Sequence, residues 1–272
     1  MDFLQAVVYG IIQGATEYLP ISSSAHLALA PVILGWDKPS LAFDILVQLG
    51  TLGAVIVYLR DDLQKMTLAM LAGLKSGRPF DDPWSKKGWL IGAATIPAVI
   101  FGLAIKDLVE ELAGDPREVL LELLLTGLLL VIAELMARRR AGVAGAPMTL
   151  GRAVFIGCAQ ALAILPGVSR SGATIAGALA VGIEREEAGR FSFLMSIPVM
   201  LGAGILGIKD LVEQPDLMEK EGAGILISFI TAALVGFVVI RWFLGYIRRH
   251  SMMGFAAYCI AASLLGLAIT GQ

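Results

Sequence analysis

The chain has 272 residues, of which 57% are hydrophobic and 16% charged, against roughly 25% charged in soluble domains, and this balance places it among integral membrane proteins. A net charge of -2, from 21 Lys+Arg against 23 Asp+Glu, offers no basic field to gather nucleic acid, which is excluded as a partner. Cys158 and Cys259 lie in apolar stretches as reduced, small hydrophobes, which excludes a disulfide framework or a Cys-rich metal site.

In chain order, the first apolar region, 1–35, is interrupted by Gln13, Glu17, Pro20 and the run Ser22-Ser23-Ser24. It reads as a re-entrant pair of half-helices. Asp2 stands where a cleaved leader would carry basic residues, so the N-terminus is expected to be retained as structure. Segment 41–59 is long and apolar enough to cross about 30 Å of hydrocarbon as a helix. The following stretch has an amphipathic part, Leu63 to Leu74, expected to lie on the cytoplasmic interface. Spans 88–105 and 119–137 come next; the second is Leu-rich and reads as lipid-facing or interhelical packing. Region 151–181 is broken again, by Pro166 and a cluster of Ser, Gly and Arg170. Spans 191–208, 223–243 and 252–270 complete the chain. Runs such as Leu120 to Ala133 show no period of two, so a barrel is excluded.

With 60–87 cytoplasmic and both broken pairs returning to the side they entered, the loops on that side hold 15 Lys and Arg, including Arg138, Arg139, Arg140, Arg248 and Arg249 as topology anchors. The other side holds five, Lys38, Lys106, Arg117, Lys209 and Lys220, and this asymmetry orients the chain. The halves also resemble each other. Gly10-x-x-Gln13 then Pro20-x-Ser22 recurs as Gly157-x-x-Gln160 then Pro166-x-x-Ser169, and Gly53-Ala54 and Arg60-Asp61 recur as Gly202-Ala203 and Lys209-Asp210. The expected fold is therefore all-α: a polytopic membrane protein, six spanning helices plus two broken re-entrant helix pairs in an inverted-topology repeat. It forms one integral membrane domain over 1–272, with halves of about 1–145 and 146–272. Irregular backbone at membrane depth is tolerated only where protein or a wet cavity covers it, so the working site is expected where the two breaks meet.

The breaks carry the chemistry. Gln13 and Glu17 are i and i+4, on one helical face, and an ionisable group inside a membrane segment costs on the order of 2.5–3.5 kcal/mol, which marks Glu17 and His26 as functional candidates. The bland alternative is that they pair with each other or with Arg170 to hold the fold, and serines often cap a half-helix. The second break, Pro166-Gly167-Val168-Ser169-Arg170-Ser171-Gly172-Ala173-Thr174, joins small residues, a helix start and a planar guanidinium. By composition it is a phosphate cradle. Carboxylate, hydroxyl, imidazole and guanidinium at one place suit phosphoryl transfer.

The acidic motif with Pro-x-Ser-Ser-x-x-His and the Pro-Gly-x-Ser-Arg-Ser-Gly-Ala-Thr motif resemble the undecaprenyl-diphosphatase (undecaprenyl pyrophosphate phosphatase, or bacitracin-resistance protein) family of bacterial membrane enzymes, over essentially the whole length. The resemblance implies hydrolysis of undecaprenyl diphosphate to the lipid carrier of peptidoglycan synthesis, at a site open to the outer face of the cytoplasmic (inner) membrane. The partners it implies are a polyisoprenyl diphosphate and membrane lipids, with a homodimer left open. By position it assigns Glu17, Ser23, His26 and Arg170 to catalysis and Ser22, Ser24, Ser169, Ser171 and Thr174 to the substrate. It also implies a divalent cation, Mg²⁺ or Ca²⁺, at Glu17 and Gln13. The chain departs from many relatives at Gln13, where a second carboxylate often stands, and at Ala25, where Gly is common; the loss of a carboxylate bears on cation affinity. Two nucleophiles compete: Ser23, with His26 three residues on taking its proton, or His26 itself. Ser23 is favoured, because His26 as nucleophile would leave only Glu17 for proton transfer. A secondary transporter or lipid flippase would also suit an inverted repeat, but has no need of a serine three residues from a histidine.

Overall fold

The computed structural model describes residues 1–105, 108, 112, 115–140, 145–213 and 215–270, apart from the side chains of 41, 206, 207, 209–213 and 215–220. Lys106 and the side chains of Lys209, Asp210 and Lys220 thus lie outside the described residues.

The described helices are α1 (Phe3–Thr16), α2 (Ser23–Leu34), α3 (Leu41–Tyr58), α4 (Arg60–Lys75), α5 (Pro83–Ala104), α6 (Pro116–Arg139), α7 (Leu150–Leu162), α8 (Arg170–Ala180), α9 (Arg185–Glu213), α10 (Pro215–Ile247) and α11 (Met253–Thr270). Among the described residues there is no strand. Five helices, α5, α6, the first part of α9, most of α10, and α11, are each long and apolar enough to cross a membrane; α3 joins α4 at a 74° bend to make a sixth. That bend carries the charged α4 off the axis of α3, as its amphipathic sequence requires.

Polar caps set the ends. Asp82 accepts from Trp84 N and Ser85 N with Pro83 in the first turn, so α5 starts five residues before the apolar run expected from 88. Asp115 and Pro116 do the same for α6. Helix α9 starts at Arg185, ahead of the expected 191, because Arg185, Glu186 and Glu187 form a polar first turn beyond the apolar stretch.

The packing recurs in pairs across the halves. Helix α1 lies along α10, and α7 lies along α5; α3 packs on α10, and α5 on α9; α3 meets α9, and α6 meets α11. The repeated glycines explain the first pair. A Cβ on Gly10 would fall 2.6 Å from the Ser228 carbonyl oxygen, and one on Gly157 would strike the Ala94 carbonyl oxygen. Only glycine lets the re-entrant helices lie this close to their spans.

The basic loops meet at one end of the bundle. Buried Glu134 accepts from Arg185 at 2.7 Å and from the Met252 backbone N–H at 3.2 Å, Arg190 pairs with Asp62 at 2.8 Å, and Lys87 pairs with Glu187 at 2.8 Å. Arg140 donates to the Ala180 carbonyl at 2.6 Å, tying a loop between spans to the end of a re-entrant helix. At the other end Ser40 donates to Glu221 at 2.7 Å. The loops grouped by charge in the sequence are thus grouped in space.

Candidate active site

At the first break α1 runs on to Glu17, whose N–H donates to the Gln13 carbonyl, and the chain turns through 18–22 before α2. Ser22, the N-cap of α2, has φ +66°, the one described non-glycine residue in that region. Such a conformation is sparsely populated for an L side chain and stores strain where the chain must turn sharply. Three groups from α1, α2 and α3 converge on one carboxylate. Gln13 Nε2 donates to Glu17 Oε2 at 2.8 Å, Ser23 Oγ donates to the same oxygen at 2.7 Å, and Gln48 Nε2 reaches Oε1 at 3.5 Å. Glu17 is 5% exposed, so these donors and a cation are what make its charge tolerable.

The cation comes from the second break. Arg170, at the start of α8, places Nη2 2.5 Å from Glu17 Oε1, across 153 residues of sequence. Its Nη1 is buried and has no hydrogen-bond partner among the described residues, so one edge of the guanidinium fork holds Glu17 while a second donor stands ready. The break itself is held by α6. Glu122 Oε2 accepts the Gly167 N–H at 2.6 Å, and Thr126 Oγ1 accepts the Ser169 N–H at 2.9 Å. Gly167 has no room for a side chain, since a Cβ would meet the Val119 carbonyl oxygen and lie 2.6 Å from Glu122 Cβ. Span 119–137, expected only to face lipid or pack, thus carries a buried polar edge that positions the site.

The two breaks also touch directly. Ser171 Oγ donates to the Leu19 carbonyl at 2.8 Å, and Ser24 Oγ donates to the Pro166 carbonyl. Of the expected residues, Gln13, Glu17, Ser23 and Arg170 converge. Ser169 instead caps α8, accepting from Gly172 N at 3.1 Å, and Thr174 bonds to the Arg170 carbonyl at 2.7 Å and to Ser192 Oγ at 2.6 Å. These hydroxyls order the turn beneath Arg170.

His26 and Ser23 are not paired. His26 Nδ1 lies 2.7 Å from the Ser22 carbonyl, and Nε2 lies 2.6 Å from the hydroxyl of Tyr258 on α11. The helical rise turns the imidazole outward, toward a groove of about 380 Å³ between α2 and α11, walled by residues such as Leu29, Ile33, Ala262 and Leu265. Tyr258 divides it from a second apolar groove of about 340 Å³ at Ile21, Trp242 and Phe255.

Five participants were not anticipated: Gln48, Thr51, whose hydroxyl lies 3.5 Å from Gln13 Nε2, Glu122, Thr126 and Tyr258. Gln48 and Thr51 are i and i+3 in an apolar span, and Glu122 and Thr126 are i and i+4 in another, a spacing that could have exposed both pairs as polar edges. Tyr258 carried no such signal. As to a cation, no cluster of three His, Cys, Asp or Glu exists among the described residues. One carboxylate, Glu17, faced by the amide nitrogens of Gln13 and Gln48, is too few oxygen donors to hold a divalent ion by protein alone, so such an ion would need the oxygens of a bound phosphate as well.

The family model of the bacitracin resistance protein BacA matches residues 6–265. The chain belongs to this family. Among BacA-like relatives, the undecaprenyl-diphosphatase of Alcanivorax borkumensis is 44% identical, over 99% of this chain and 98% of its own. That of Chloroherpeton thalassium is 40% identical over 99% and 97%, and that of Rubrobacter xylanophilus 41% over 99% and 98%. Identity at this level over both lengths covers both breaks and every span.

Proposed function

We propose that this chain hydrolyses undecaprenyl diphosphate to undecaprenyl phosphate and phosphate, recycling the lipid carrier of the cell wall and thereby conferring bacitracin resistance. The carrying observation is the chain Ser23–Glu17–Arg170, which links a hydroxyl, a buried carboxylate and a guanidinium across the two breaks. A transporter has no use for a serine whose proton already points at a buried carboxylate.

The terminal phosphate docks on Arg170, whose free Nη1 donates to an equatorial oxygen while the α8 N-terminus faces the same charge. Ser23 Oγ attacks the terminal phosphorus and passes its proton to Glu17 Oε2, which already accepts it at 2.7 Å. The bond between that phosphorus and the bridging oxygen breaks, and its electron pair leaves with undecaprenyl monophosphate. Water then attacks the phosphoserine, His26 Nε2 takes its proton, Glu17 returns its own proton to the leaving Ser23 oxygen, and phosphate departs with Ser23 and Glu17 restored. Glu17 thus replaces His26 as the base for the first step, because the hydrogen bond runs there. Glu17 and Gln13 would hold a divalent cation, which would supply neutralising charge to the phosphates.

The same reading places the protein in the cytoplasmic membrane with the basic end inside and the site facing out. Purified protein is expected to release phosphate from a C15 or C55 isoprenyl diphosphate and to form an acid-stable adduct on Ser23. An acid-labile adduct on His26 would reverse the nucleophile, and tight binding without release would favour transport. Single cysteines at Ser76 and Asp37, without Cys158 and Cys259, are expected to label from opposite sides of the membrane.

A further inference from the structure

Three features single out Tyr258. It lies 232 residues from His26, yet its hydroxyl is 2.6 Å from Nε2, and the two rings lie 7° from parallel with centroids 5.7 Å apart. The other ring nitrogen is committed. A backbone carbonyl can only accept, so Nδ1 of His26 carries the proton donated to the Ser22 oxygen at 2.7 Å. In the neutral ring Nε2 is therefore the lone pair, and the Tyr258 O–H donates to it. If the ring gains a second proton, the phenol oxygen can turn to accept from Nε2–H, so the same partner serves both protonation states.

The third feature is where α11 stands. Helices α2 and α8 are counterparts in the repeat, as are α6 and α11. Helix α8 packs firmly along α6, whereas among the described residues α2 makes no comparable packing with α11. The groove lies in that place, and the His26–Tyr258 hydrogen bond bridges it.

We propose that Tyr258 is a positioning residue for His26: its hydroxyl latches α2 to α11 and holds the imidazole with its Nε2 lone pair at the head of the groove, where the water that attacks the phosphoserine must take the phenol's place on that lone pair. This rests on the reaction proposed above. Among the described residues only this phenol meets Nε2, so without it the ring is free to rotate about its side-chain bonds.

Tyr258→Phe keeps the ring and removes the hydroxyl. In detergent or vesicles with a C15 isoprenyl diphosphate, kcat is expected to fall about 3- to 10-fold, the value of one hydrogen bond, with KM and thermal stability unchanged. In a His26→Asn background the same change is expected to cost nothing further, since the two act as one unit. A readout independent of turnover comes from the histidine count of two. In a His250→Gln background, ¹⁵N-labelled His26 gives the only imidazole signals, and Tyr258→Phe is expected to move the Nε2 resonance toward that of an unbonded nitrogen while Nδ1 stays protonated. An unmoved Nε2 signal would overturn the latch whatever the activity. Losses that add in the double variant would make Tyr258 a packing residue. If the wild type releases no phosphate while the Nε2 shift is seen, the latch stands and the assigned reaction fails.

Discussion

The two half-helices that follow the breaks come from related sequence and end in different surroundings. Nearly all of α8 is buried, from Ser171 through Leu179, enclosed by α6, α7 and α9. In α2 only Ala25, Leu27, Ala30 and Pro31 are buried, and Val32, Ile33 and Leu34 are exposed. The enclosed helix begins with Arg170, and the open one with Ser23. The difference has a physical sense. An anion holder works best when its donors are fixed beforehand, since reorganising dipoles costs free energy at the moment of reaction. A nucleophile that must meet a lipid arriving from the bilayer needs an open flank. On the proposed reaction, rigidity falls on the side of the phosphate and access on the side of the attack.

The largest effect that would break this division comes from the group joining its halves. Glu17→Gln keeps the shape but removes the charge that accepts the Ser23 proton and pairs with Arg170. Activity on a C15 isoprenyl diphosphate is expected to fall by about 10³-fold, within the range for a general base, and raised Mg²⁺ or Ca²⁺ to restore part of it. Wild-type turnover that survives a chelator intact would remove the cation from the site. Next is the fixed side. Arg170→Lys retains charge but loses the fork, and kcat/KM should drop about 10²-fold with the fold intact; near-normal turnover would make Arg170 purely structural.

Smaller effects sharpen the comparison without touching the chemistry. Gly167→Ala drives a methyl into Val119 and Glu122 under α8, so a loss of about 1–3 kcal/mol is expected in detergent unfolding. Val32→Ala, on the open face of α2, should stay within about 0.5 kcal/mol. Equal losses at the two positions would deny that α8 is the rigid partner. Least in size, a cysteine at Val32 should react with a membrane-soluble maleimide far faster than one at Ala176, which is 5% exposed.

Much of the fold was legible in the chain because the bilayer imposes it. Hydrocarbon demands long apolar helices, loops sort by basic charge, and a Pro with polar neighbours inside an apolar run has to turn somewhere protected. Glu17 and Arg170 could be named for the same reason, since ionisable groups are too costly there to lack a task, with Gln13 beside Glu17 on one helical face; Ser23 was singled out from three serines by the resemblance. Repetition was a weaker guide to chemistry. Gln160 stands where Gln13 does, yet Ile164 occupies the place of Glu17, and both Gln160 amide atoms are buried without partners among the described residues. Both halves carry the helix glycine, Gly10 and Gly157, and the proline of the turn, Pro20 and Pro166, while only the first carries the carboxylate.

What the sequence by itself determined was the set of spans, the two breaks and the list of reactive side chains, since each follows from local composition against a fixed solvent. What only the tertiary structure decided was who meets whom. Three residues along a helix, Ser23 and His26 share a face by spacing alone, but the break before α2 delivers Ser23 to Glu17 and turns His26 to Tyr258. Likewise Glu122 and Thr126 became supports of the second break through the packing of α6 on α8. Helical periodicity fixes directions within one element, whereas a hydrogen bond spanning 45 or 232 residues depends on which faces the apolar packing brings together, and that is a property of the whole assembly.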